Sequence, residues 1–348
     1  MMNKILLSLA VVSATLAASP ALSMSKTPKP DPIIVPAPDQ IVRFIAIGDM
    51  GTGKDGQYKV AAAIKEVCEL KGCDFALGLG DNIYEKGVDD KNDIQFETKF
   101  EDPYSELTMP FYMTLGNHDN TWISAGDGLN NDRGEDQVAY HYRTDRTSDK
   151  WQMPARYYQF NAPADVSNPL VSFFSMDSTP LAGVTDADIE YNQFAYKKRQ
   201  GDWLKDSIQQ SGSPWKVAFA HHAYRSNGKH GNAGLYDYLP GHGLFYKNML
   251  KDNVCDRVDV IIAGHDHDLQ LLKPVDSCGK TFHIVSGAGG KARSFGNANR
   301  NDSYWQEDNT LGFFYIEIEG DEFRSTAYTV HDVSGEHTAA FSKTFQRQ

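Results

Sequence analysis

The stretch that decides the fold reads Ile41-Val42-Arg43-Phe44-Ile45-Ala46-Ile47-Gly48-Asp49-Met50-Gly51. Its mostly apolar first part predicts a buried strand, and the glycines and Asp49 that follow predict a loop. The same arrangement, polar residues directly after an apolar run, occurs at four later places in the chain. These later strings are Gly80-Asp81-Asn82-Ile83-Tyr84, Gly116-Asn117-His118-Asp119, His221-His222 and Gly264-His265-Asp266-His267. Because ligands bind outside the carboxyl ends of the strands in open α/β sheets, the five loops predict one polar pocket.

Short apolar runs alternate with amphipathic stretches, which predicts an α/β protein. Strands are predicted at 41–47, 75–79, 110–115, 171–177, 215–220 and 258–263, and helices at 58–70 and 189–210. Further strands are predicted at 311–319, 323–330 and 338–344, with no helix between them. This late run of strands indicates a second, more antiparallel sheet. The polar, turn-rich residues 123–150 predict a long loop.

The composition is that of an acidic globular protein. Of the 348 residues, 41% are hydrophobic, which is enough apolar material for a sizeable core and excludes wholesale disorder. The formal net charge is −12. Because an acidic surface repels the phosphates of nucleic acids and anionic lipids, a dedicated binder of either is disfavoured. We expect a monomer with no nucleic-acid partner and no membrane partner.

The first forty residues predict export. Residues 1–23 have the three parts of a signal peptide: a positive charge at Lys4, an apolar run over 5–18 and a small-residue cleavage site at 21–23. The alternative, an uncleaved anchor, would need a longer apolar run. Prolines predict that residues 24–40 are an extended linker. Residues 41–348 are then a single folded domain of a secreted or periplasmic protein.

The four cysteines lie in the part that remains after cleavage; they are Cys68, Cys73, Cys255 and Cys278. An even number in an exported chain favours disulfides, with three possible connectivities, over four free buried thiols. We hypothesise that each cysteine pairs with its neighbour in the sequence, Cys68 with Cys73 and Cys255 with Cys278. The second bridge would brace the segment that carries the last of the five strings, and would stabilise the fold by roughly 2–4 kcal/mol.

Taken singly, none of the five loops identifies a metal site. Asp49 alone could be an ordinary turn residue, and His221-His222 could be a hydrogen-bonded pair at the end of a strand. Taken together, the loops could supply seven ligands, namely two Asp, one Asn, one Tyr and three His, a set of oxygen and imidazole donors that suits Fe, Mn or Zn. A carboxylate that bridges two such cations is typical of two-metal phosphoryl-transfer sites.

In their order along the chain, the five strings resemble the motif blocks of the purple acid phosphatases, and most closely those of the small, tartrate-resistant type. These enzymes are calcineurin-like metallophosphoesterases. The string Ser286-Gly287-Ala288-Gly289 and the pair His230-Gly231 add to the resemblance. It implies a four-layer α-β-β-α sandwich of two mixed sheets, with a dinuclear metal site at the carboxyl ends of the strands. It also implies that residues 41–348 are a single metallophosphoesterase catalytic domain.

The resemblance further implies a role for each of nine residues. It gives Asp49, Tyr84 and His267 as ligands of a ferric ion, Asn117, His221 and His265 as ligands of a divalent ion (Fe, Zn or Mn), and Asp81 as the bridge between the two ions. It gives His118 and His230 as catalytic residues that contact the phosphate and assist the leaving group. His222 falls outside the ligand pattern, and we predict that it lines the pocket or forms a structural hydrogen bond.

The function that the resemblance implies is that of a secreted acid phosphatase. A hydroxide activated at the Fe(III)–M(II) centre would hydrolyse small phosphate monoesters. The alternative on the same scaffold is a phosphodiesterase or a nucleotide pyrophosphatase. A non-catalytic metal-binding protein is disfavoured, because the set of ligand residues is intact.

Overall fold

Residues 40–183 and 188–347 are described by the structure, which is a computed structural model. The predicted signal peptide at 1–23 and all of the predicted linker except Gln40 lie outside these residues, so both remain predictions. Within the described ranges, none of the helices is long and apolar enough to cross a membrane.

The described strands form two mixed sheets of seven strands each. In chain order they are β1 (Ile41–Ile47), β2 (Phe75–Gly78), β3 (Phe111–Met113), β4 (Trp151–Gln152), β5 (Tyr158–Ala162), β6 (Val171–Ser175), β7 (Trp215–Ala220), β8 (Val260–Ala263), β9 (Leu269–Leu272), β10 (Phe282–Ser286), β11 (Ser303–Glu307), β12 (Leu311–Glu319), β13 (Glu322–Val330) and β14 (His337–Gln346). The first sheet has the strand order β14-β13-β12-β1-β2-β3-β4. The second has the order β11-β9-β10-β8-β7-β6-β5.

Helices cover the outer faces of the sheets. They are α1 (Asp55–Lys71), α2 (Arg133–His141), α3 (Thr179–Ala182), α4 (Gln193–Gln210) and α5 (Leu244–Asn253), with single turns at Glu97–Glu101, His118–Asn120, Ile189–Tyr191, Tyr236–Tyr238 and Asp276–Cys278. Val60 and Ile64 of α1 belong to the same buried cluster as Ile45 of β1. Leu204 of α4 belongs to the same buried cluster as Ala218 of β7. Each sheet therefore has one helix-covered face.

The other face of each sheet forms the core between the two sheets. Phe44 of β1 and Phe75 of β2 pack in one cluster with Phe173 of β6, and the Phe44 and Phe173 rings meet edge to face at 5.2 Å. Alternate residues of β1 thus face the second sheet and α1, which is why this strand is apolar over nearly its whole length. The four-layer α-β-β-α arrangement expected from the sequence is confirmed.

The central strands bring the five loops to one place. Strands β1, β2 and β3 run parallel in the first sheet, and β6, β7 and β8 run parallel in the second. Because parallel neighbours end at the same edge of a sheet, the loops after β1, β2 and β3 lie side by side. The loops after β7 and β8 do the same in the other sheet.

Two predictions about the organisation of the chain are wrong. The late strands do not form a second sheet: β12 pairs antiparallel with β1, from Ile41 with Glu319 to Ala46 with Phe314, and so extends the first sheet. Residues 123–150 are not one long loop, because they contain α2, which buries Gln137 and Tyr140. The Tyr140 ring stacks on Phe96 at 3.7 Å, a tertiary contact that outweighs the polar composition of this segment.

Both hypothesised disulfides are present. Cys68 at the end of α1 is bonded to Cys73 just before β2, and Cys255 after α5 is bonded to Cys278 before β10. The two bridges account for all four cysteines of the chain. The second encloses β8 and β9, so it constrains the segment from which His265 and His267 project.

Candidate metal centre

The structure brings together the seven side chains that were predicted as metal ligands. Asp49 follows β1, Asp81 and Tyr84 follow β2, and Asn117 follows β3; His221 follows β7, and His265 and His267 follow β8. Six of the seven are buried, and Asn117 is partly exposed. Their ligand atoms fall into two groups that lie on either side of Asp81.

The first group consists of Asp49, Tyr84 and His267. The phenol oxygen of Tyr84 lies 3.0 Å from Oδ1 of Asp49 and 3.2 Å from Nε2 of His267. The same two atoms of Asp49 and His267 are 3.3 Å apart. Three potential metal-ligand atoms, one each from a carboxylate, a phenol and an imidazole, therefore lie close together.

The second group consists of Asn117, His221 and His265. Nε2 of His221 lies 2.8 Å from the amide oxygen of Asn117 and 3.1 Å from Nδ1 of His265. It also lies 3.4 Å from Oδ1 of Asp81. Ligand atoms of Asp49, Asp81 and His221 all lie within 4.8 Å of one another, so Asp81 is close to both groups.

The burial and the negative charges of these residues favour the binding of cations. Burial, and next to it the charges of Asp49 and Asp81, raise the pKa of the Tyr84 phenol well above its usual range. Burial also opposes ionisation of Asp81, but the positive charges of His221 and His118 lower the pKa of this carboxyl. Carboxylates this deeply buried are costly without a counter-charge, and the oxygen and nitrogen donors here are those that Fe, Mn and Zn accept. The donor set therefore fits a dinuclear centre.

The backbone conformation of the loops orients these ligands. Asp49, Asp81 and His265 have left-handed backbone, with φ of 57°, 52° and 72°. Such values are uncommon for residues other than glycine and occur where the surroundings impose them. The β2 and β3 loops also approach closely, since a Cβ added to Gly116 would lie 2.2 Å from the backbone nitrogen of Asp81.

A buried carboxylate that no prediction assigned holds two of these loops together. Asp119 accepts hydrogen bonds from the backbone of Asn82, Ile83 and Gly116 and from the side chain of Gln137, at 2.7–3.1 Å. Burial, with the charge of Asp81 adding to it, raises the pKa of Asp119 to about 6. Asp119 belongs to the string after β3, but three of its four hydrogen-bond partners are 18 to 37 residues away in sequence, so the string alone did not reveal this role.

His118 and His230, the two predicted catalytic histidines, flank the ligands without joining either group. Nε2 of His118 lies 4.0 Å from Oδ2 of Asp81, and its Nδ1 lies 2.7 Å from the backbone oxygen of Glu85. The ring of His230 packs at a tilt against that of His265, with centroids 4.2 Å apart. Its Nδ1 lies 2.6 Å from Oδ1 of Asp237 and its Nε2 lies 3.2 Å from Nη1 of Arg293. Neither Asp237 nor Arg293 was singled out from the sequence.

His222 has the two properties that were predicted for it. Its Nδ1 lies 2.8 Å from the hydroxyl of Ser178, and its ring lines a pocket beside the second group. Its ligand atoms do come within 4.8 Å of those of His221 and His265. Nδ1 of His222 is nevertheless occupied by its hydrogen bond with Ser178.

The residues 121–130 form the wall of the site beside Asn117. The carboxylate of Asp127 accepts from the backbone nitrogens of Trp122, Ile123, Ser124 and Leu129. The backbone oxygen of Gly126 accepts a hydrogen bond of 2.9 Å from the amide nitrogen of Asn117. This contact turns the amide oxygen of Asn117 towards His221, which is the orientation a ligand to a metal needs.

Comparison with known proteins agrees with this geometry. Residues 42–269, more than half of the chain, match the family described as calcineurin-like phosphoesterase. Tartrate-resistant acid phosphatase type 5 of Rattus norvegicus is 29% identical over 83% of this chain and 87% of its own. Purple acid phosphatase 17 of Arabidopsis thaliana is 31% identical over 73% of this chain and 70% of its own.

Solved structures of low sequence identity share the fold. GAP50, the anchor in the inner membrane complex of Plasmodium, is 20% identical and superposes with a TM-score of 0.70 over 89% of this chain and 90% of its own. The purple acid phosphatase PPD1 from seeds of Lupinus luteus is 16% identical, with a TM-score of 0.63 over 88% of this chain and 54% of its own. The chain belongs to the calcineurin-like phosphoesterase family, in its purple acid phosphatase branch.

Proposed function

We propose that this protein is an exported acid phosphatase that hydrolyses small phosphate monoesters at an Fe(III)–M(II) centre. The observation that carries the proposal is the pair of donor groups on either side of Asp81. Asp49, Tyr84 and His267 would hold the ferric ion, and Asn117, His221 and His265 the divalent ion, which is Fe, Zn or Mn. Acid phosphatases among the relatives of the chain support the same activity.

When bound, the two cations lower the pKa of a coordinated water and offset the negative charge of the phosphoryl oxygens. Side chains of the protein position the phosphoryl group of the substrate. The carboxylate of Asp81 accepts a hydrogen bond from the backbone nitrogen of His118, and that of Asp119 accepts one from the backbone nitrogen of Gly116. These contacts fix the loops after β2 and β3 and place His118 beside Asp81, the proposed bridge between the two ions. Its imidazole stays in place through the hydrogen bond between Nδ1 and the backbone oxygen of Glu85. In this position Nε2 of His118 contacts the phosphoryl group of a bound ester.

His230 is placed to give a proton to the departing alcohol. Asp237 contacts its Nδ1, so the atom that exchanges a proton with the substrate is Nε2, which in the structure faces Nη1 of Arg293. Burial disfavours the charged imidazolium, but the hydrogen bond with Asp237 and the charge of Asp266 raise the pKa of His230. A raised pKa keeps the acid form populated in a mildly acidic medium, where the proposed activity operates.

The export predicted at residues 1–23 is part of the proposal. Disulfides form and persist in oxidising compartments, and both pairs of cysteines here are bonded. The protein would act outside the cytoplasm, as a secreted or periplasmic enzyme, on esters that reach it there.

The proposal is tested with the purified, metal-analysed protein. We expect turnover of 4-nitrophenyl phosphate at acidic pH, much slower turnover of bis(4-nitrophenyl) phosphate, and two metal ions per chain of which one is iron. Faster turnover of the diester would establish a phosphodiesterase on the same scaffold. A dimetal protein that hydrolyses neither ester would overturn the proposal in favour of a binding protein.

The variant His230→Ala is expected to lower kcat by about 10²-fold or more for esters with poor leaving groups, the usual weight of general acid catalysis. Aryl esters of acidic phenols have leaving groups that need less protonation, so kcat should fall less for these esters. His331→Ala, which removes an exposed histidine, is the control. Both variants should keep two metals. Equal losses for good and poor leaving groups would show that His230 binds the phosphoryl group and does not protonate the alcohol.

A further inference from the structure

His230 depends on contacts with other parts of the chain for its position. It lies ten residues beyond the end of β7, and in the described structure residues 221–235 form neither helix nor strand. The regular hydrogen bonds of a helix or a sheet therefore do not hold this histidine at the metal centre. A misplacement of about 1 Å can lower a catalytic rate by about 10²-fold, so the contacts that fix His230 matter for turnover.

The carboxylate of Asp266 supplies three of these contacts. Asp266 is only 1% exposed. Its Oδ1 accepts a hydrogen bond of 2.7 Å from the backbone nitrogen of His230. Its Oδ2 accepts from the hydroxyl of Ser226 and, at 3.4 Å, from the backbone nitrogen of Gly231. Both oxygens of this buried carboxylate therefore bind the same short segment, residues 226–231.

This segment approaches Asp266 so closely that one of its positions requires glycine. A Cβ added to Gly228 would lie 2.2 Å from Cγ of Asp266, a distance at which the backbone of the segment or the carboxylate must move. The nitrogen of Gly228 also donates to the hydroxyl oxygen of Ser226 at 2.9 Å. The segment thus wraps around the carboxylate, and a larger residue at 228 would push the two apart.

Strand β9 adds further contacts to the segment. Nε2 of Gln270 donates to the hydroxyl oxygen of Ser226 at 2.9 Å, and Oε1 of Gln270 accepts from the backbone nitrogen of Asn227 at 2.8 Å. All three of these residues are fully buried. Because a buried donor that loses its acceptor is costly, this network favours a single position of the segment.

Asp266 also connects the segment with both halves of the metal centre. It is the residue between His265 and His267, the proposed ligands of the divalent and the ferric ion. Its own backbone is closely packed, since a Cβ added to Gly287 would lie 2.2 Å from the backbone oxygen of Asp266. One residue therefore links the backbone of His230 to a proposed ligand of each ion.

We propose that Asp266 is a positioning residue, which holds the backbone of His230 so that the imidazole meets the leaving group of the substrate. The inference rests on the proposed phosphatase activity and on the role of His230 as a proton donor. Because Asp266 is buried, it acts through His230. The effect of its loss should therefore depend on whether the leaving group needs a proton.

The first test is Asp266→Asn, which keeps the size of the side chain and removes its charge. An amide has one oxygen in place of two, so part of the segment loses its acceptor. We expect kcat to fall about tenfold or more for alkyl phosphates, as for loss of a charged hydrogen bond, and less for aryl esters of acidic phenols. Two metals should be retained. The control is Asp252→Asn, which breaks an exposed ion pair with Lys197 and should leave both rates unchanged.

The second test, Gly228→Ala, disturbs the same contact without a change beside a metal ligand. The added methyl group pushes the segment away from Asp266, so the losses should depend on the leaving group in the same way. This variant also decides the question if Asp266→Asn fails to fold.

A double-mutant cycle separates positioning from general damage. If Asp266 acts only through His230, Asp266→Asn should have no further effect once His230 is alanine. We expect the double variant to match His230→Ala within about twofold for every ester.

Hydrogen exchange gives a readout that needs no turnover. The backbone amide hydrogens of His230 and Gly231 are held by Asp266, so they should exchange about tenfold faster or more in Asp266→Asn. Mass spectrometry of the metal-loaded protein follows the peptide over residues 226–231. The peptide over β7 is the reference and should exchange at its wild-type rate.

Two results would overturn this proposal. One is unchanged exchange over residues 226–231 in both Asp266→Asn and Gly228→Ala. The other is an equal loss for all esters that multiplies with the loss in His230→Ala, because Asp266 would then shape the ligand loop and not the position of His230. A wild-type protein that hydrolyses no ester would contradict the proposed phosphatase activity instead, and the exchange measurement would still decide whether Asp266 holds the segment.

Discussion

Asn117→Ala is expected to empty the second metal position and abolish most of the hydrolysis while the first position stays filled. The amide oxygen of Asn117 is one of three donors around Nε2 of His221, and alanine removes it without adding bulk. Mutation of a residue that only hydrogen-bonds to a metal ligand typically lowers the affinity for the metal by about 10–100-fold. Removal of a ligand itself should lower this affinity further. Elemental analysis after dialysis should find iron retained and the divalent ion lost, with the rate falling in parallel.

The control for this variant is Asn92→Ala, which truncates an exposed asparagine that is not among the predicted ligands and should change neither the metal content nor the rate. Millimolar divalent metal should restore part of the activity of Asn117→Ala, because the two histidines of the second group remain. Normal content of both metals together with a normal rate would remove Asn117 from the ligand set.

The sequence was sufficient to predict which loops form the site. Strands β1 and β7 have the predicted bounds, because their apolar runs are continuous and end at a glycine or a histidine. Once the strands are parallel neighbours, the residues that follow them must lie at one edge. This argument covers Asp49, Asp81 and Asn117, which follow strands of the first sheet. His221 follows a strand of the second sheet, and its role was given by the resemblance.

The features that could not be predicted from the sequence depend on contacts between segments that are distant in sequence. Pairing of β12 with β1 joins residues about 270 positions apart, and no local pattern distinguishes it from pairing within a separate sheet. The left-handed backbone at Asp49 and Asp81 is imposed by neighbouring loops and leaves no trace in composition.

Tyr84→Phe is the second large effect and the sharpest test of the ferric site. In the structure, burial and then the nearby charges of Asp49 and Asp81 raise the pKa of the Tyr84 phenol, so only a strongly charged cation can hold it as phenolate. A phenolate on ferric iron gives a ligand-to-metal charge-transfer band, and the iron-loaded wild type should be purple or pink. Phenylalanine keeps the ring, including its edge contact with His118 at 4.5 Å, and removes only the oxygen.

The variant should therefore lose the visible band and retain iron more weakly, while its melting temperature stays close to that of the wild type. Tyr104→Phe is the matched control, since this buried tyrosine packs against Phe100 and Phe111 in the core and should leave the colour unchanged. Because the measurement is a spectrum, it separates the identity of the ligand from any change in turnover. A colourless iron-loaded wild type, or an unaltered band in Tyr84→Phe, would mean that Tyr84 packs in the site without binding iron. The same donor groups would then hold two divalent cations, with Asp49 and His267 alone completing the first position.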